Sequence, residues 1–75
     1  MKIIVAPERD RDIVVEVLHD AFERGHIGGT ANLTFTVMRH LSAPRWSVRA
    51  TGLGDPILEA SYSDIAREAL DRALP

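Results

Sequence analysis

The side chains with chemistry to offer are few: His19, His26 and His40, the arginines Arg39, Arg45 and Arg49, and the hydroxyls of Thr34, Thr36 and Ser47. Imidazoles hold metals or move protons near neutral pH, but a metal needs ligands that converge at fixed distances. His19 falls in a helical pattern, His26 in a glycine-rich loop and His40 at a strand end. Their spacing predicts separate surface histidines and no metal site. The chain has no cysteine, which removes disulfides, thiolate ligands and thiol nucleophiles together and fits a reducing compartment. It has no P-loop, no G-x-S-x-G elbow and no H-E-x-x-H motif. The glycines of Gly28-Gly29 and Gly52-Leu53-Gly54 open no helix after a strand, so they read as turns rather than a phosphate cradle. No catalytic residue and no cofactor is assigned. The expectation is a protein that is not an enzyme.

The arginines are more informative. The net charge is only −2, yet residues 26–54 carry Arg39, Arg45 and Arg49 with no Asp or Glu, while the flanking segments are acidic. Such asymmetry marks a candidate binding surface. Guanidinium forks suit carboxylates and phosphates alike.

The elements that position these side chains follow from hydrophobic period. Lys2–Ala6 is continuous, β-branched and stopped by Pro7, which predicts a short buried strand. Asp10 or Asp12 is placed to cap a following helix, in which Val14, Val17, Leu18, Ala21 and Phe22 oppose Glu16, Asp20 and Glu23. Leu33, Phe35 and Val37 alternate with Asn32, Thr34, Thr36 and Met38, and Trp46, Val48 and Ala50 alternate with Arg45, Ser47 and Arg49. Both runs read as half-buried strands, joined by a turn at His40–Pro44 into an antiparallel hairpin. Gly52–Pro56 reads as a second turn and Ile57–Ser61 as a third strand of that meander. Ser61-Tyr62-Ser63-Asp64 fits a capping box, opening a helix whose stripe is Ala66, Ala69, Leu70, Ala73 and Leu74, with Glu68–Arg72 as the better oriented i,i+4 pair and Arg67–Asp71 as the weaker.

The expected fold class is therefore α+β: one domain over residues 1–75, in β-α-β-β-β-α order. It is a two-layer sandwich with a mainly antiparallel sheet and both helices on one face. Trp46 is expected to anchor the core, an interface hot spot being the alternative. The open face then shows Thr34, Thr36, Met38, His40, Arg45 and Arg49, which are the candidate partner-binding residues.

With the first strand set aside, the α-β-β-β-α layout over about residues 10–74 resembles the double-stranded RNA-binding domain. That family carries a Lys-Lys-x-Ala-Lys run at the start of its second helix, which contacts phosphates. The corresponding residues here are Ser63-Asp64-Ile65-Ala66-Arg67. Ala66 matches and Arg67 is conservative, but Asp64 reverses a charge that phosphate binding needs. Residues 45–74, with a Ser-Asp-Ile-Ala helix after two strands, are similar to the HicB-type antitoxin fold. The leading expectation is a protein-binding module, such as a small phage or mobile-element inhibitor of the anti-CRISPR kind. Nucleic-acid binding through the basic hairpin face is one alternative, and a HicB-like antitoxin is another. A homodimer, through a strand edge or an apolar helix surface, is a natural form at this size. No apolar run approaches the ~20 residues of a membrane span, and no h-region follows Lys2, so a cytoplasmic protein without a membrane partner is expected.

Overall fold

The structure is a computed structural model that describes residues 1–75. Strand β1 (Lys2–Ala6) leads through a single 3-10 turn, Glu8–Asp10, into helix α1 (Arg11–Arg24). Strands β2 (Thr34–Arg39) and β3 (Trp46–Thr51) form the hairpin, and helix α2 (Pro56–Ala73) completes the chain. The sheet order is β1-β2-β3. β1 pairs with β2 in parallel, Ile3 opposite Phe35, and β2 pairs with β3 antiparallel, Val37 opposite Val48. The sheet is thus mixed rather than mainly antiparallel. A helix between two neighbouring strands returns the chain to the same end of the sheet, which makes that pair parallel.

The core is shared by both helices and one side of the sheet. Val14, Leu18 and Phe22 of α1 join Tyr62, Ala66 and Leu70 of α2 in one buried cluster with Val5, Phe35, Val37, Trp46 and Ala50. Phe22 packs against Phe35 at 5.3 Å between ring centroids and against Tyr62 at 6.0 Å. Each such pair adds about 0.5–1.5 kcal/mol beyond simple burial. The β-branched run Ile13-Val14-Val15 stays helical because only Val14 must be buried there, at the period that also buries Leu18 and Phe22.

Two local expectations are overturned. Ile57–Ser61 is not a strand, and Ser61 does not cap a helix, because α2 already begins at Pro56. The Asp55 carboxylate accepts from the Ile57 and Leu58 N–H groups at 3.1 and 3.2 Å, and Pro56 takes the first helical position. Proline has no N–H to lose there, so an Asp-Pro start is strong. Glu59 reaches back to accept from the Leu53 and Gly54 N–H groups, closing the turn before the helix. Where a further strand would have paired with β3, the Ala50 N–H donates instead to the Ser63 hydroxyl at 2.9 Å. That hydroxyl in turn donates to the Glu59 carbonyl, so the helix itself satisfies part of the sheet edge.

Asp10 stands at the N-cap of α1 without making a capping bond; its carboxylate is used elsewhere, as described below. On α2 the ion pairs centre on Arg67, which meets Asp64 at 3.8 Å and Asp71 at 3.4 Å, while Glu68 and Arg72 form none. Arg67 is the less exposed cation, where water screens an ion pair less. Gly52 is required by geometry: its φ of +110° is left-handed, and a Cβ there would run into the Asn32 carbonyl.

These assignments predict that Asp55→Ala costs about 1 kcal/mol of stability, since two N–H groups lose their acceptor. Ser61→Ala stays within about 0.5 kcal/mol, as a surface substitution should. Urea denaturation of the two variants reads the difference directly.

Candidate functional site: the outer sheet face and an arginine-lined pocket

Because side chains alternate across a strand, the register sorts the sheet into two faces. Ile3, Phe35 and Ala50 line up on the inward side, as do Val5, Val37 and Val48. The outward side carries three cross-strand rows: Lys2, Thr34 and Thr51; Ile4, Thr36 and Arg49; Ala6, Met38 and Ser47. None of these nine residues is acidic. Ile4 and Met38 remain 47% and 48% exposed, so the middle of the face is apolar and its margins are polar or cationic.

Of the residues singled out from sequence, Thr36 and Arg49 fall in the middle row, Met38 in the row on one side of it, and Thr34 in the row on the other, beside Lys2. His40 and Arg45 lie beyond the rows, where the hairpin turns. The His40 N–H donates to the Arg45 carbonyl at 2.6 Å, and its Nε2 pairs with the Ser47 hydroxyl at 2.6 Å. Arg45 and His40 line a concavity of about 260 Å³ together with Pro7, Arg9, Arg39 and Leu41. The structure therefore divides the expected basic surface into an open face and a pocket at its end.

Three residues in or beneath that pocket are not among the candidate binding residues read from the sequence: Arg9, Asp10 and Arg39. Arg39 occupies the inward register position opposite Trp46, and its guanidinium lies 5.7 Å from the centre of the Trp46 ring. Its Nη1 donates to Asp10 Oδ1 at 3.3 Å. Asp10 is buried, and its second carboxylate oxygen has no partner at all. A signal existed in the alternation itself. Arg39 stands two residues beyond inward-facing Val37, at an inward register position where a partly covered guanidinium gains from an acidic neighbour. Nothing local indicated which acid that is. Trp46 is a core residue, fully buried, with its indole N–H donating to the Leu74 carbonyl at 3.0 Å.

On the helices, Arg11, Arg24 and Arg67 each have a carboxylate partner and Arg72 has none. On the sheet side, Arg39 pairs with Asp10, whereas Lys2, Arg9, Arg45 and Arg49 have no partner. His19 and His26 lie well away, lining an open groove of about 470 Å³ with Glu23, Phe22 and Met1. No three His, Asp or Glu side chains gather where they could hold a metal ion. No helix is long and apolar enough to cross a membrane. No family model matches the chain, and comparison with curated proteins and with solved structures likewise gives no match.

The Arg39–Asp10 pair predicts unequal effects from its two halves. Arg39→Ala strands a buried carboxylate and should cost about 2–3 kcal/mol, below the full buried-pair range because Arg39 is partly hydrated. Asp10→Ala leaves a guanidinium that still reaches water, and should cost about half as much. Equal losses in chemical denaturation would show that the pair contributes packing alone.

Proposed function

We propose that this chain is a non-enzymatic binding module that docks an acidic protein surface on the outer face of its sheet, around Ile4, Thr36, Met38 and Arg49. In this reading both helices cover the inward face and leave the outer one open. The observation that carries it is the combination on that face: cations without ion-pair partners, flanking half-exposed Ile4 and Met38, with no carboxylate among them. Methionine and arginine are among the residues enriched at protein interfaces. Charge complementarity would speed and orient the encounter, while the apolar centre would supply affinity. A module of this kind acts by occupying its partner, as a small inhibitor does.

A nucleic-acid partner is less well supported. Single strands are held largely by stacking on exposed aromatic rings, and all the aromatic residues here, Phe22, Phe35, Trp46 and Tyr62, are buried. Both helices also carry mainly acidic surface, which a polyanion would avoid.

The test is a backbone-amide NMR titration with an acidic amphipathic peptide, Asp and Glu alternating with Leu, against single- and double-stranded DNA and RNA at low salt. Saturable shifts at Ile4, Thr36, Met38 and Arg49 with the peptide are expected, weakened about tenfold by Arg49→Glu. Shifts on that face with oligonucleotides alone would replace the protein partner by a nucleic acid. A stable dimer in light scattering that Met38→Glu dissociates would instead make the occupant a second copy of the chain.

A further inference from the structure

We propose that the pocket lined by Arg9, Arg39, Arg45 and His40 binds a phosphate monoester in its dianionic form. The site lies at the end of the sheet, between the 3-10 turn and the β2–β3 hairpin, and is separate from the rows that would dock a protein.

The donors are present and unused. Arg9 and Arg45 make no ion pair and no side-chain hydrogen bond. Arg39 engages only Nη1, whereas a guanidinium carries five N–H donors. His40 is held in place through Nε2 by Ser47, which leaves Nδ1 without a protein partner. Arginine forks match phosphate oxygens bidentately, which is why such clusters recognise this group.

The charge favours a dianion over a carboxylate. Three guanidinium groups face one carboxylate, Asp10, so the pocket holds roughly two uncompensated positive charges, arginine being always protonated. A phosphate monoester carries about −1.5 to −2 at neutral pH and would balance them. A carboxylate would neutralise only half. The space is adequate too: a concavity of about 260 Å³ equals roughly nine waters at ~30 Å³ each, more than a phosphate head group requires. Asp10 acts as a positioning residue. By fixing Nη1 of Arg39 beneath the pocket and over Trp46, it holds one fork ready before any ligand arrives.

The experiment is a titration with inorganic phosphate at constant ionic strength, read from the arginine Nε–H resonances and from the fluorescence of Trp46, whose ring lies 5.7 Å from the Arg39 guanidinium. Saturable shifts at Arg9, Arg39 and Arg45 are expected, and acetate at equal ionic strength should bind much more weakly. The Arg9→Gln/Arg45→Gln variant changes two exposed side chains and keeps the fold. It should lose at least about tenfold in phosphate affinity. The Arg24→Gln/Arg72→Gln variant, with the same change in net charge, should stay within about twofold of wild type. No saturation in the wild-type protein, equal binding of acetate, or equal loss in the two variants would each overturn the site. A phosphoserine peptide that binds more tightly than inorganic phosphate supports a protein-borne phosphate, and equal binding supports a small phosphorylated molecule. The resonances read here differ from those of the sheet face, so either proposal can fail while the other stands.

Discussion

The Trp46 indole is where the separate parts of this molecule meet. Its ring fills the inward side of β3, its N–H holds the Leu74 carbonyl just past the end of α2, and the Arg39 guanidinium lies over its face. A buried indole without an acceptor would leave a polar group unsatisfied, so the last residues of the chain are tied to the hairpin. Arg39 in turn is tied to Asp10 at the start of α1. One side chain thus links the hairpin, both helices and the floor of the pocket.

In a chain of 75 residues the buried share is small, and six large apolar side chains stay outside the core. Ile13, Ile57 and Leu58 do so on the helices. Ile4 and Met38 stay half exposed on the sheet, and Leu41 at the hairpin tip is fully exposed. Their surroundings are cationic and free of carboxylates, whereas the acidic side chains lie mainly on the helices, where several pair with nearby arginines. The net charge of −2 conceals a molecule with one basic side.

How much of this was legible beforehand depends on the range of the interaction. The hairpin is legible because alternation over Leu33–Val37 and Trp46–Ala50 is a local pattern, although β2 begins at Thr34 and β3 extends to Thr51. The outward placement of Thr36, Met38, Ser47 and Arg49 followed from it. The start of α2 was misread, although Asp55-Pro56 is itself a local signal. A turn rich in glycine masked it, and the Ser61–Asp64 pattern competed with it. The β-branched and apolar residues at Ile57 and Leu58 suggested a strand, but nothing buries Ile57, and propensity yields where packing makes no demand.

Residue types and their period are enough to show which residues alternate and that the acid-free middle of the chain is basic. That this basic surface is two places rather than one follows from the folding of the chain in three dimensions. Arg49 and Met38 share an open face because the strand register sets them side by side. Arg45 and His40 turn away into a pocket with Arg9 and Arg39, residues 30 positions apart in the chain. The arginine nearest the core faces inward because Asp10 and Trp46 receive it there. Charge summed along a sequence gives only a total, whereas a binding site depends on which charges the fold brings together and which it neutralises.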